Sequence, residues 1–313
     1  MISLKWIVCL FLVFAAFLTG LTLNLYILII NFMDWKKGNR LQTCDQIHII
    51  MALVNIILQC AVTIQGTMFI LCEYIMYIKE VAICFYFVVP LLISFSLWLN
   101  ACLCIFYVTK FANLSHPYFV WFKYNISTIL PKIMLVSAVG TVALCVPSIW
   151  NIHLESQQVT TGNVTVTDKK MVISVWYTLM VAFLGCFLPL LISSLCLGHT
   201  LTTILRHVWR VNRKDSGFSR QNIQANIKAA RTMILLLITC LTFYLTQVFD
   251  FAPNYDDKDT FISMGRKVLI CRHFLCFYVL CIVIAMYRFY LFSINTSLHF
   301  TQWFPTCCFQ FEK

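Results

Sequence analysis

The chain has 313 residues, of which 61% are hydrophobic and only 11% are charged, and its formal net charge is +11. A soluble domain of this length would normally carry about a quarter charged residues, so water is excluded as the solvent for most of the chain. The composition predicts a membrane protein, in which each spanning helix needs about 20 mainly apolar residues.

Seven apolar stretches long enough to cross a bilayer follow one another along the chain. Such continuous runs exclude a transmembrane β-barrel, which is built from short alternating segments. The first run is also much longer than the core of a cleavable signal peptide, so we expect it to stay as the first helix. We therefore predict an all-α membrane protein, a seven-transmembrane helix bundle forming one domain over 1–313. Its predicted spans are 4–32, 44–71, 81–109, 127–150, 171–205, 229–249 and 268–294, with a tail at 295–313.

The second stretch differs from the others because polar residues interrupt it. Polar side chains within a membrane usually face other helices, so we expect this helix to lie in the interior of the bundle. The interrupting residues are Asp45, His48, Asn55, Gln59 and Gln65.

The charges are divided unequally between the two ends of the predicted helices. One side carries 15 basic and four acidic residues, whereas the other carries eight of each. Basic loops are typically cytoplasmic, so we predict an extracellular N-terminus and a cytoplasmic C-terminus. Because these charges are spread over separate loops, no nucleic-acid partner is expected, and membrane lipid is the predicted partner of the basic face.

One candidate modification site lies in the predicted extracellular loop between the fourth and fifth helices. Asn163-Val164-Thr165 matches the acceptor sequence for N-glycosylation. We therefore predict a glycan on Asn163.

The sequence carries no known catalytic signature, such as a nucleophile elbow, a zinc-protease motif or a phosphate-binding loop. No cofactor and no metal site are predicted, and the protein is not expected to be an enzyme. A seven-helix transporter or channel is disfavoured because acidic residues are nearly missing from the predicted helix interiors, where such proteins keep them. A G-protein-coupled receptor is the favoured class.

One segment, "SLWLNACLCIFYVTKFANLSHPYFVWFKYNI" at 96–126, resembles the third helix and second inner loop of the bitter taste receptors, the type 2 taste receptor family. "GLTLNLYILIINFMDW" at 20–35 resembles that family's first helix, and 191–199 and 222–230 resemble its fifth and sixth helices more loosely. The matching positions in the third-helix block are Trp98, Leu103, Phe106, Tyr107, Lys110, Ala112, Asn113, Ser115, His116, Pro117, Phe119 and Lys123.

The resemblance implies a plasma-membrane receptor for small-molecule bitter agonists that activates a heterotrimeric G protein of gustducin-like or inhibitory type. Helical spacing and the resemblance together place the agonist between helices three, five, six and seven. The candidate ligand-binding residues are Val89, Ile93, Phe183, Phe187, Cys240, Tyr244, Gln247, Phe277 and Cys281. The candidate G-protein-coupling and switch residues are Tyr107, Lys110, His116, His199, Lys228 and Arg288. A vomeronasal type 1 receptor is the nearest alternative.

Two departures from the family pattern stand out. Asn55 occupies a position in the second helix where the family usually has arginine, and Tyr287-Arg288 replaces a His-Ser pair in the seventh. Our hypothesis is that Arg288 supplies the cation that Asn55 lacks.

Overall fold

The computed structural model describes residues 4–38, 43–111, 117–161 and 164–213. The predicted spans at 229–249 and 268–294 and the tail at 295–313 lie outside these ranges. In the described part of the chain, five helices are long and apolar enough to cross a membrane.

The described elements are mainly helical and follow one another with short connections. A 3-10 turn, Glu73–Tyr77, joins the second and third helices, and a π-helical segment, Ala182–Phe187, lies within the fifth span. The other elements are α1 (Leu4–Lys36), α2 (Thr43–Leu71), α3 (Lys79–Phe111), α4 (Pro117–Cys145), α5 (Ser148–Asn151), β1 (Ile152–Thr161), β2 (Val164–Ile173), α6 (Val175–Val181) and α7 (Leu188–Arg213).

Helix α3 is the centre of the described bundle. It packs against α2, α4, α7 and the π-helical segment, while α1 packs mainly on α2. Leu99 and Leu103 of α3 are almost completely buried, as is Leu130 of α4. Because lipid is as apolar as these side chains, close packing and interhelical hydrogen bonds hold such helices together more than the hydrophobic effect does.

Helix α2 lies in the interior, as its polar residues predict. Half of its most apolar stretch is buried, compared with 22% to 24% for the other four apolar helices in the described residues. Asn55 and Gln59 are fully enclosed, with 2% and 0% of their surface exposed. The expectation that the polar positions of this helix face its neighbours is confirmed at these two residues.

Helix α4 starts earlier and ends earlier than the predicted span. It begins at Pro117, because proline suits the first turn, where its missing N–H is not needed. At its other end α4 stops at Cys145 and α5 starts at Ser148, with Pro147 between them. Proline disfavours a helical conformation in the residue before it, which accounts for this interruption.

The connection between α5 and α6 forms a β-hairpin, which an all-helical prediction did not include. Strands β1 and β2 are antiparallel, with Ile152 opposite Ile173 and Thr161 opposite Val164. The predicted start of the fifth span at 171 is therefore wrong, since β2 takes the first three of its residues and the helix begins at Val175. Alternating valine and threonine in β2 favour a strand over a helix.

The fifth span is not a regular helix, because α6 passes through the π-helical segment into α7. Pro189 follows this segment closely and, lacking an N–H, cannot bond the carbonyl of Gly185 in the α-helical pattern. A π-helical turn is one way in which a helix accommodates such a break.

Candidate functional site

The third helix and the fifth span approach each other closely near the middle of α3. Gly185 lies directly against the hydroxyl and Cβ of Ser94, and a methyl group of Leu144 is 3.4 Å from where a Cβ on Gly185 would stand. Only glycine allows the π-helical segment to come this near to α3. Ser94 is 1% exposed, so this contact lies inside the bundle.

The fifth span is also attached to the fourth helix. The Tyr177 hydroxyl of α6 donates to two carbonyl oxygens, that of Cys145 at 3.2 Å and that of Leu144 at 3.4 Å. These carbonyls belong to the last turn of α4, which lacks intrahelical donors. The tyrosine therefore fixes the start of the fifth span beside the end of α4.

Four of the candidate ligand-binding residues lie on these two elements. Val89 and Ile93 of α3 are partly buried and pack against the core. Phe183 and Phe187 belong to the π-helical segment, and their rings stack with centroids 5.4 Å apart and 23° between planes. Phe183 is 54% exposed, so its ring extends from the surface of the described helices. The contact between Ser94 and Gly185 brings the two pairs into the same region.

The other candidate ligand-binding residues cannot be placed beside these four. Cys240, Tyr244, Gln247, Phe277 and Cys281 all lie outside the described residues.

A polar contact joins the second and third helices two residues further along α3 than Ser94. The hydroxyl of Ser96 donates to Oδ1 of Asn55 over 3.0 Å. Asn55 replaces the arginine expected from the family resemblance, and in the described residues it contacts a neutral hydroxyl instead of a charged group. Sequence reasoning missed Ser96, whose only signal was its position near the middle of the third predicted span.

Three of the candidate switch residues lie on the described helices, Tyr107 and Lys110 near the end of α3 and His199 near the middle of α7. Tyr107 of α3 is partly buried and packs against the core, with its ring centroid 6.1 Å from that of Phe106. Lys110 belongs to the last turn of the same helix. His199 is exposed on α7, and its carbonyl accepts hydrogen bonds from the hydroxyls of Thr202 and Thr203. His116, Lys228 and Arg288 lie outside the described residues.

Basic side chains surround this end of the described helices. Lys36 ends α1 and Lys37 follows it, with Nζ of Lys37 3.8 Å from Oδ1 of Asp34. Lys123 is exposed in the second turn of α4, whereas Lys132 is exposed near the middle of that helix. In the described ranges, no group of three or more His, Cys, Asp or Glu side chains is arranged to hold a metal ion.

The comparison with protein families gives a match over almost the whole chain. The model of the family described as "Taste receptor protein (TAS2R)" matches residues 1–306. The chain belongs to this family. It is therefore a multi-pass membrane protein and a bitter taste G-protein-coupled receptor, a receptor rather than an enzyme.

Individual relatives agree with the family match. The chain is similar to taste receptor type 2 member 9 of Homo sapiens, with 27% identity over 72% of each chain. Taste receptor type 2 member 7 of Macaca mulatta is 26% identical over 76% of each chain. Taste receptor type 2 member 2 of Homo sapiens is 24% identical, covering 74% of this chain and 76% of that receptor. The vomeronasal receptor, transporter and channel alternatives are set aside on these matches.

Proposed function

We propose that this taste receptor crosses the plasma membrane seven times, with its N-terminus outside and its C-terminus in the cytoplasm. The excess of basic residues at the ends of α1, α3, α4 and α7 supports this orientation, because cytoplasmic loops carry such an excess. In the same orientation the β-hairpin and Asn163 face the outside. Treatment with a glycosidase should then increase the gel mobility of the receptor, and Asn163→Gln should abolish that change.

Small bitter agonists bind, in this proposal, between helices three, five, six and seven. The contact of Gly185 with Ser94 carries the proposal, because it sets Phe183 and Phe187 close to the outer half of α3. The described lining is apolar and aromatic, which suits neutral ligands held by shape and ring contacts. Helices six and seven would contribute Cys240, Tyr244, Gln247, Phe277 and Cys281.

Signalling would occur at the basic end of the bundle, through a gustducin-like or inhibitory G protein. Agonist can shift the receptor toward its active state only by binding that state more tightly than the resting one. The residues proposed to form or gate the G-protein surface are Tyr107, Lys110, His116, His199, Lys228 and Arg288.

A functional screen tests the whole proposal. Cells expressing the full chain with a promiscuous G protein are exposed to a panel of bitter compounds, while calcium and cAMP are recorded. We expect a concentration-dependent response to at least one compound. Silence across a broad panel, with surface display verified by antibody labelling, would contradict the proposed function.

The agonist site is tested by removing its exposed aromatic ring. We expect Phe183→Ala to raise the half-maximal agonist concentration about tenfold, the equivalent of about 1.4 kcal/mol. The matched control is Phe11→Ala, because Phe11 is an exposed phenylalanine on α1, away from the proposed cavity. Equal shifts in both variants would place Phe183 outside the site.

The seventh-helix hypothesis is tested with Arg288→Ala. We expect this variant to reach the surface but to signal weakly, because it loses the cation that replaces the family's arginine. Arg206→Ala, which changes an exposed arginine of α7, is the control. Unchanged surface expression and signalling in Arg288→Ala would show that the hypothesis is wrong.

A further inference from the structure

The exposed surface of α4 carries a charged side chain within the apolar stretch of the helix. Lys132 lies inside the candidate membrane span Val120–Asn151 and is exposed. It forms no ion pair with any residue in the described ranges. A charged side chain within a membrane span is costly unless it meets a partner of opposite charge, so Lys132 requires a counterion.

The two helices nearest to Lys132 do not supply this counterion. Helix α4 contains two lysines and no aspartate or glutamate. Helix α3, which packs along α4, has one acidic residue, Glu80 in its first turn. Consecutive spanning helices run in opposite directions, so Glu80 lies at the other end of the bundle from the start of α4. The basic end of α1 differs, because Lys37 there has the carboxylate of Asp34 at 3.8 Å.

The threonine one turn before Lys132 adds a hydrogen-bond donor to the same face. Thr128 is exposed and precedes Lys132 by four residues, the spacing that makes two side chains neighbours on a helix. Its hydroxyl forms no hydrogen bond within the described residues. The hydroxyl of Thr19 on α1, by contrast, donates to the carbonyl four residues earlier over 2.8 Å. Thr128 can therefore donate to the same group as Lys132.

The exposed face of α4 changes in character at Lys132. Beyond it the face is aliphatic, with Val136 and Val139 being 70% and 63% exposed. Before it the face is aromatic, with Trp121 and Tyr124 being 62% and 89% exposed. Aliphatic side chains favour the hydrocarbon core, whereas tryptophan and tyrosine favour the level of the lipid headgroups. Lys132 thus lies at the boundary between the two layers.

The length of the span agrees with this boundary. From Lys132 to Asn151, where the candidate span ends, the chain has about 20 residues and extends about 30 Å, the thickness of the hydrocarbon core. Thr128 lies about 6 Å further along the helix, at the depth of the headgroups. A lysine at the boundary can extend its side chain toward that layer.

A phospholipid is the partner that supplies a counterion at this depth. Its phosphate oxygens accept hydrogen bonds from an ammonium group and from a hydroxyl group at the same time. A second copy of the chain is disfavoured as the partner, because a symmetric contact through this face would bring two Lys132 side chains together. Nor does α4 offer a carboxylate to the ammonium of a zwitterionic headgroup, which favours an acidic one.

We propose that Lys132 and Thr128 form a binding site for the phosphate of an acidic phospholipid. The acyl chain of this lipid packs along Val136 and Val139, and its headgroup lies beside Tyr124. The assignment of the lipid to the inner leaflet, where acidic lipids are concentrated, rests on the proposed orientation of the receptor. The site itself requires neither agonist nor G protein, so a receptor that is silent in the bitter screen can still pass the test below.

Native mass spectrometry of the purified full-length receptor measures the binding. The receptor in detergent is titrated with phosphatidylserine and, separately, with phosphatidylcholine. We expect the first phosphatidylserine to bind about fivefold more tightly than phosphatidylcholine, since one lysine near the headgroup layer favours an acidic lipid by about that factor. Lys132→Gln should remove this preference and leave the binding of phosphatidylcholine unchanged.

Two further variants separate the site from general attraction to basic residues. Lys123→Gln makes the same chemical change on the same helix, but Lys123 precedes Lys132 by about two and a half turns and so lies on a different side of α4. We expect this control to keep the preference. Lys132→Arg retains the positive charge and should also keep it.

A second measurement locates the lipid on the unmodified receptor. The full chain is placed in phosphatidylcholine nanodiscs that contain a small fraction of phosphatidylserine with a photoreactive acyl chain. After illumination and digestion, we expect several-fold more crosslinks on residues 135–143 of α4 than with phosphatidylcholine carrying the same acyl chain.

Three results would overturn the proposal. If phosphatidylserine binds no more tightly than phosphatidylcholine, Lys132 only extends to the interface. If Lys123→Gln and Lys132→Gln lose the preference equally, the acidic lipid is held by the basic surface as a whole. If neither photoreactive lipid reaches residues 135–143, another protein segment covers this face. Should Lys132→Gln fail to fold, the comparison of crosslinks on the unmodified receptor decides alone.

Discussion

Helices α2 and α4 are almost equally apolar, yet they occupy different environments. Half of the most apolar stretch of α2 is buried, compared with 22% of that of α4. Helix α2 places its polar residues Asn55 and Gln59 against other helices, whereas α4 exposes large side chains such as Val136 and Val139. In a membrane, then, the buried face of a helix is marked by its polar and small residues more than by its apolar ones.

Glycines differ in the same way, because Gly185 packs against another helix whereas Gly198 has open space beside it. This difference gives the largest predicted effect. Gly185→Val should destabilise the receptor by about 1–3 kcal/mol, because the new side chain meets the Cβ of Ser94, which moves only with the α3 backbone. Thermal unfolding in detergent and surface expression measure the loss.

The control for this variant lies in the same span. A Cβ added at Gly198 meets no atom within 4 Å, so Gly198→Val carries a similar helix-propensity cost without the steric one. Equal losses in the two variants would mean that the contact between α3 and the fifth span is not tight.

The polar contact between α2 and α3 predicts a smaller effect. Ser96→Ala removes the hydrogen bond to Asn55 and should cost about 1 kcal/mol. Thr200→Val is the comparison: in the described residues the Thr200 hydroxyl donates to the carbonyl of Cys196 within its own helix, so we expect a smaller loss there.

A double-mutant cycle separates the interhelical bond from local effects. Asn55→Leu and Ser96→Ala together should cost less than the sum of the two single changes, since both remove the same bond. Strict additivity would show that the two side chains do not interact in the receptor.

Parts of this architecture were predictable from the sequence because a single residue or one continuous stretch carries the signal. Long apolar runs reveal helices, since a bilayer fixes the length that each must have. Asn55 and Gln59 indicated the interior position of α2, since polar groups avoid lipid. The third-helix block around Tyr107 and Lys110 was specific enough to indicate the family.

Other features depend on pairs of residues and were not predictable in this way. The π-helical segment reflects Pro189 acting on the carbonyl of Gly185 four residues earlier, and the approach to Ser94 is a contact between distant parts of the chain. The β-hairpin was missed because the segment between the fourth and fifth predicted helices was treated only as a loop, although valine and threonine alternate in β2. Of the candidate agonist site, only the residues on α3 and the fifth span are placed by the structure.

The lipid-facing side of α4 predicts the smallest effect and completes the contrast with α2. Val136 is 70% exposed, so the side chain contacts lipid both before and after Val136→Ala, and the substitution leaves no cavity. We expect a change in stability below about 0.5 kcal/mol and unchanged agonist responses. A loss comparable to that of Ser96→Ala would indicate that another protein surface, not lipid, covers this face of α4. Crosslinking from a cysteine introduced at position 136 would then show which segment or copy of the receptor lies there.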